Sequence, residues 1–298
     1  MNAWTRREWL YRTGIGAAGL AAVRVGALSA LADEPRVTIS PLNKLTDEDE
    51  IALGRRFAAQ VESEVEIVSN PVIEHYLGKM ISALAAQSQR PNLPYSIKLI
   101  NSHEANAFSI PGGFLYLNRG LVELIAEEDE LAATLGHEIG HVVARHVVNE
   151  LLMSFAAQSV LKPVLDNLDK QNGVVDQIIR KLGGAFAMLA MLHFSREDEA
   201  EADLLGFYEM LRAGWDPHGF LELFDQLKQL EKQLGGAPNR FLSDHPPTPQ
   251  RAAAIEHELK KVKIPANARK DSLTFQVFKS TMGLLPEPAK SQPHRRQE

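Results

Sequence analysis

His137, Glu138 and His141 stand in the run His137-Glu138-Ile139-Gly140-His141. A helix turns about 100° per residue, so positions 137 and 141 share a face, about 40° apart around the axis. Two imidazoles spaced this way can grip one metal ion. The carboxylate of Glu138, beside them, can take a proton from the metal's water. Neutral nitrogens with carboxylates suit Zn²⁺, one per chain, and the spacing is that of helical zinc hydrolases. The plainer alternative is an amphipathic helix carrying two surface histidines. The neighbouring residues weigh against it. Glu128, Asp129 and Glu130 give the helix an acidic start, and Gly140 and Ala144 share the histidine face. Small residues there let a second element come close, as a site with several ligands requires.

A catalytic zinc site needs a third protein ligand. The best candidate lies in Ser195-Arg196-Glu197-Asp198-Glu199-Ala200-Glu201-Ala202-Asp203. An acid-rich helix start, with Ser195 as N-cap and Asp198 closing a capping box, accounts for some of these acids but not for their positions. Glu199 and Asp203 share a face with Ala202 and Gly206, a second small-residue surface fitted to pack on the first. Glu197 and Glu201 point about 160° away and are expected in solvent. Glu199 is therefore the expected ligand. Asp203 is expected to accept the other ring N–H of a zinc-binding histidine, His137.

These two motifs together resemble the M48 zinc metallopeptidases, the group that contains the Ste24, Oma1, HtpX and BepA-like enzymes. Three further stretches fit the family's order: Asn106-Ala107-Phe108-Ser109-Ile110-Pro111-Gly112-Gly113, Asn118-Arg119-Gly120-Leu121, and Ser243-Asp244-His245-Pro246 with Arg251 following. The similarity covers roughly residues 45–260. It implies an α+β, mainly α fold: a zincin-like metallopeptidase domain with a small sheet or hairpin beside the HExxH helix. It also implies a zinc metalloendopeptidase. Neither a helical-repeat extension nor a multi-span membrane body is visible, so a small exported single-domain member is expected.

Within that frame Glu138 is the general base and His245 lies on a loop beside the metal. His245 is expected either to stabilise the oxyanion of the tetrahedral intermediate or, as a fourth ligand, to close the zinc. A plain loop histidine turned by Pro246 is the third option. Arg251 is expected to orient that loop or to pair with a carboxylate, with a solvated helix-start arginine as the alternative. Asn106, Ala107 and Phe108 are assigned to substrate binding, on an edge strand that an extended peptide would join. His146, nine residues past His137 and so on the opposite side of an unbroken helix, reads as structural, as do His75, His193 and His218. Three functions remain open: an endopeptidase for misfolded or misassembled envelope proteins, a latent peptidase acting mainly as a chaperone-like binder of such proteins, and a zinc hydrolase for cell-wall amides.

The elements that must hold these residues are mostly helical. Thr46 is expected to cap a helix running to about Ser69, and Pro71 to start another reaching about Gln89. Residues 95–101 alternate like a strand, and 107–110 with 114–118 read as a hairpin around Pro111-Gly112-Gly113. The metal helix is expected over 128–149, running on past Leu151. A helical connection with breaks at Pro163 and Gly173 leads to an apolar stretch, 185–194, too short to span a bilayer. The Glu199 helix should reach Ala213, followed by helices over 218–234 and 250–261, with a Gly/Pro loop carrying His245 between them. The sequence from 284 to 298 reads as a disordered tail.

Residues 1–32 read as a removable export signal. Arg6-Arg7 precede Trp9-Leu10, a mildly apolar stretch follows, and Ala30-Leu31-Ala32 is a cleavage site before Asp33. This resembles a twin-arginine signal and predicts a periplasmic or otherwise exported protein. Membrane association is expected only through an uncleaved signal. Residues 33–283 would then form the peptidase domain. The chain's net charge is −6 over 298 residues with no cysteine. The signal is itself basic, so the rest is more acidic still, which disfavours nucleic acid as a partner.

Overall fold

The computed structural model describes Val37, residues 45–157 and residues 193–288, all within one compact unit, Pro35–Glu298. The stretch read as an export signal, the expected breaks at Pro163 and Gly173 and most of the apolar stretch before Phe194 lie outside the described residues. No helix among the described residues is long and apolar enough to cross a membrane.

The architecture is mainly α with one small sheet. Helix α1 (Asp47–Glu64) opens with a capping box in which Thr46 accepts from Asp49 N while Asp49 accepts from Thr46 N. Helix α2 (Pro71–Ala85) is capped by Asn70, with proline at its first position. Both helices end about four residues before the sequence pattern suggested. Strands β1 (Ser96–Ile100), β2 (Ala107–Ile110) and β3 (Phe114–Asn118) form a sheet of order β1-β3-β2. The hairpin is as expected: β2 pairs antiparallel with β3, Ala107 opposite Leu117. Its turn needs glycine, because Gly112 and Gly113 have φ of 81° and 94°, and a Cβ on Gly112 would sit 2.7 Å from Ile51 Cα. The first strand was not paired in advance. It lies parallel to β3, Ser96 opposite Phe114.

A short α3 (Arg119–Leu124) leads to α4 (Glu128–Val143), the axis of the molecule. Every residue of α4 is buried, including the acidic first turn. The helix is surrounded by α2, β2, α6 (Arg196–Ala213) and α7 (Gly219–Leu234). The expected run to Asn149 is broken. Helix α4 stops at Ala144, Arg145 adopts φ 60°, and α5 (His146–Ala157) starts afresh. Helix α6 carries the expected Ser195–Asp198 capping box and ends at Gly214 (φ 91°), where Trp215 N bonds back to Met210 O at 3.0 Å. The Gly/Pro loop holds a short α8 (Arg240–Asp244), and α9 (Pro249–Lys261) follows behind Thr248 as N-cap.

Two further departures lie beyond α9. Helix α10 (Leu273–Met282) was not anticipated, yet Phe275 and Phe278 are fully buried in the main core, worth ~1.5–3 kcal/mol each. The tail does not become free at 284. Pro286 O accepts from Arg119 Nη1 at 2.9 Å and Asn101 Nδ2 at 3.2 Å, and Glu287 pairs with His103 at 2.9 Å. Residues 289–298 lie outside the described part.

Candidate metal centre

Helices α4 and α6 cross antiparallel at their small residues, and this contact builds the site. A Cβ on Gly140 would fall 2.5 Å from Ala202 O, and one on Gly206 would fall 2.6 Å from Gly136 C. Only faces without side chains permit that approach, as the two small-residue patterns implied. The close crossing brings His137 and His141 on α4 to Glu199 on α6. The α8–α9 loop adds His245. One ligand atom from each of these four buried residues lies within 4.8 Å of all the others.

The distances are those of a metal group. His137 Nε2 is 3.0 Å from His141 Nε2 and 3.1 Å from His245 Nδ1. Glu199 Oε1 is 2.9 Å from His245 Nδ1 and 3.2 Å from His141 Nε2. Tetrahedral bonds of about 2.0–2.1 Å imply edges of about 3.3 Å between donor atoms. Three imidazole nitrogens and a carboxylate oxygen that face one another in a buried space form a donor set able to hold a cation. The donor set, three histidines and one glutamate, suits zinc and its neighbours in the first transition row.

The surrounding residues fix these donors. Asp203 Oδ1 lies 2.8 Å from His137 Nδ1, so the hydrogen of His137 is held there and Nε2 is left to face the group, as expected. Arg251 donates to both oxygens of Asp203 at 2.6 Å and reaches within 2.7 Å of Glu199 Oε2, close enough for an ion pair though out of line for a hydrogen bond. It also donates to Pro246 O at 3.1 Å. Both expected roles of Arg251 are thus present, orienting the loop and pairing with carboxylates, and at 6% exposure it is not a solvated helix-start residue.

Electrostatics follow from this packing. Burial works to raise Asp203, but Arg251 outweighs it and holds the carboxyl below its usual range. Burial likewise opposes Glu199, and the His245 and His137 rings overcome it and lower its pKa. Burial, aided by the neighbouring His137, pushes His141 well down and keeps it a neutral donor. His245 is the exception: burial disfavours its cation, yet Glu199 and then Glu138 raise it to about 9.

Glu138 is 1% exposed, with Oε1 lacking a hydrogen-bond partner and His245 Nε2 3.7 Å away. A cleft of about 190 Å³ opens beside the group, bordered by Phe194, Glu199, Pro246 and Arg251. The segment assigned to substrate lies on β2, which pairs only with β3 among the described residues. Asn106 O accepts from Asn118 N at 2.9 Å, Ala107 is buried, and the Phe108 ring stacks on Tyr116 at 5.1 Å. Asn239, the N-cap of α8, donates to Ala105 O at 3.2 Å and so ties this strand to the His245 loop.

One neighbour of the group was misassigned from the sequence. His146 is not across the helix from the site, because the break at Arg145 turns the chain back. Its Nδ1 lies 2.9 Å from His141 Nδ1. A positive-φ arginine leaves no mark in the apolar pattern, so helical spacing alone could not have found it.

The sequence profile described as peptidase family M48 matches residues 71–259. The chain belongs to this family. A region of 189 residues is 30% identical to a mitochondrial metalloendopeptidase, OMA1, of Schizosaccharomyces pombe, covering 63% of this chain and 54% of that protein. Over 237 residues the chain is 24% identical to a beta-barrel assembly-enhancing protease of Escherichia coli, covering 76% and 48%. The metalloprotease YcaL of Escherichia coli is 27% identical over 218 residues, 72% of this chain and 82% of that one. Relative to the first two, the chain spans about half their length. The matched region holds the whole four-donor group.

Proposed function

We propose that this M48 protein is a zinc-dependent endopeptidase of the cell envelope that cleaves misfolded or misassembled proteins and is held latent by His245. The observation that carries the reading is the four-donor group His137, His141, Glu199 and His245, with the unpartnered Glu138 carboxylate beside it. Zinc bound there would supply a Lewis acid and a water of lowered pKa. Glu138 Oε1 would take the proton of the attacking water and pass it to the leaving amine nitrogen. Asp203 holds the hydrogen of His137 on Nδ1, and Arg251 balances Asp203 and Glu199 so that the donors stay ionised or neutral as needed. β2 is an edge strand among the described residues, and an extended chain joining that edge would suit unfolded substrates because such pairing reads few side chains. Similarity to proteases named for beta-barrel assembly supports an envelope substrate, and the Arg6-Arg7 sequence supports export.

His245 Nδ1 lies 2.9 Å from Glu199 Oε1 and 3.1 Å from His137 Nε2, so a zinc held by His137, His141 and Glu199 would have His245 as a fourth donor in place of water. This placement favours closure over oxyanion binding, and the chaperone-like alternative is the same molecule in its closed state. Casein cleavage by the purified protein, with zinc measured in each sample, is the test. Glu138→Gln should keep zinc and lose at least ~10² in rate, the lower end for general-base chemistry. Near-normal turnover in that variant would remove Glu138 from the mechanism. His245→Ala should raise the rate. A fall of about 10²–10³ with zinc retained would instead assign His245 to the oxyanion.

A further inference from the structure

We propose that His146 is a positioning residue that sets the tautomer of His141. The inference rests on the zinc reading above and extends it to a residue outside the four donors.

In an unbroken helix position 146 would stand about 140° around from position 141, and the two rings could not meet. The chain departs from that path at Arg145, the one non-glycine residue with positive φ among those described. A left-handed conformation in such a residue costs about 1–3 kcal/mol and persists only where its surroundings hold it. Here they do. Arg145 Nη1 donates to Leu45 O at 2.8 Å and lies 2.9 Å from Glu50 Oε1, while Nη2 donates to Asp47 Oδ1 at 2.6 Å. Arg90 braces the same corner, reaching Val142 O at 2.8 Å, Asp47 at 2.6 Å and the buried Glu50 at 2.8 Å.

The turn so fixed lays the His146 ring against His141, with centroids 5.0 Å apart and planes at 72°. Two ring nitrogens 2.9 Å apart share one hydrogen. The far side of His146 decides which ring owns it. Its Nε2 faces Glu201 Oε2 at 3.2 Å and Asp198 Oδ1 at 3.4 Å, and carboxylates only accept. A single ring hydrogen on His146 therefore lies on Nε2, and its Nδ1 accepts. His141 must then donate from Nδ1, which leaves the lone pair of its Nε2 facing Glu199 and His137. The chain Glu201–His146–His141 does for one ligand what Asp203 does for the other. It also gives Glu201 a use that helical spacing alone did not.

The test compares His146→Phe, which keeps a ring of similar bulk, with His146→Asn, whose Oδ1 can accept where Nδ1 does. Both are made in the full chain. Zinc affinity is read by competition with a chromophoric chelator, the cobalt-loaded protein gives a ligand-field spectrum, and melting of the metal-free form reports fold. His146→Phe should bind zinc about 10–100-fold more weakly, the usual cost of losing such a partner. His146→Asn should recover most of that loss, and only His146→Phe should shift the cobalt spectrum, with metal-free melting unchanged in both. Wild-type affinity in His146→Phe, or equal losses in the two variants, would overturn the inference while leaving the zinc reading intact. Failure of the wild-type chain to bind zinc would overturn both.

Discussion

Gly206→Ala should both destabilise the protein and loosen its metal, although alanine is the better helix former. The added Cβ would meet Gly136 C at 2.6 Å, His137 N at 2.8 Å and Gly136 O at 2.9 Å, all backbone and none able to swing aside. Carbon atoms pack at about 3.5–4.0 Å, so α4 and α6 must part by about 1 Å. Overpacking of this kind costs about 1–3 kcal/mol, and separation also loses contacts along the rest of the crossing. Alanine's helix preference returns about 1 kcal/mol. A net loss of about 2 kcal/mol should lower the melting temperature by about 4–8 °C for a domain of this size. The parting also moves Glu199 relative to His137 and His141 by more than the ~0.2 Å that metal–ligand distances tolerate, so zinc retention should fall. Gly78→Ala is the control: nothing lies within 4 Å of its Cβ in α2, and it should raise melting by about 2–4 °C. Calorimetry with parallel zinc analysis reads both variants. A Gly206→Ala protein that melts and holds zinc like wild type would refute the account of the crossing.

Glu199→Ala should abolish zinc retention while the exposed Glu197→Ala keeps it, and metal analysis showing the reverse would mean that the wrong carboxylate was chosen. Asp129, buried with neither oxygen hydrogen-bonded, is pushed up to about 8 by burial and then by Glu222. The folded chain therefore holds a proton there that the unfolded chain releases near pH 3.8, so this site takes stability away as pH rises from about 4 to about 8. Melting curves of Asp129→Asn should decline less steeply over that window, and parallel curves would count against the assignment. Arg6→Lys with Arg7→Lys should leave precursor in the cytoplasm, whereas wild-type export in cells lacking the twin-arginine translocase would refute the export reading.

The metal group was legible because each part of it is local. The i, i+4 spacing of His137 with His141 and of Glu199 with Asp203 put donors and small residues on shared faces, and the antiparallel crossing follows from those faces. The break at Arg145 was not legible. Val147, Val148, Leu151 and Leu152 carry on an apolar helical pattern, while the ion pairs that hold Arg145 come from Asp47 and Glu50, almost a hundred positions earlier. The parallel pairing of β1 with β3 is likewise a long-range event. Helix α10 is a different case. Ser272 ahead of Phe275, Phe278 and Met282 is a readable cap and apolar face, masked by the polar, proline-containing residues that follow it.

The spread of the donors along the chain has a consequence for assembly. His137 and His245 stand 108 positions apart, and Arg251, which balances the charge of Glu199, comes later still. A chain emerging from the ribosome cannot complete the group until nearly all of the domain has been made, so capture of a metal there would be a late event in folding. The delay is kinetic more than thermodynamic, since doubling a loop's length adds only about 0.6 kcal/mol to closing it. With no cysteine in the sequence, disulfides are closed to this protein. Coordination of one ion at the four-donor group would then be a means of cross-linking three distant segments.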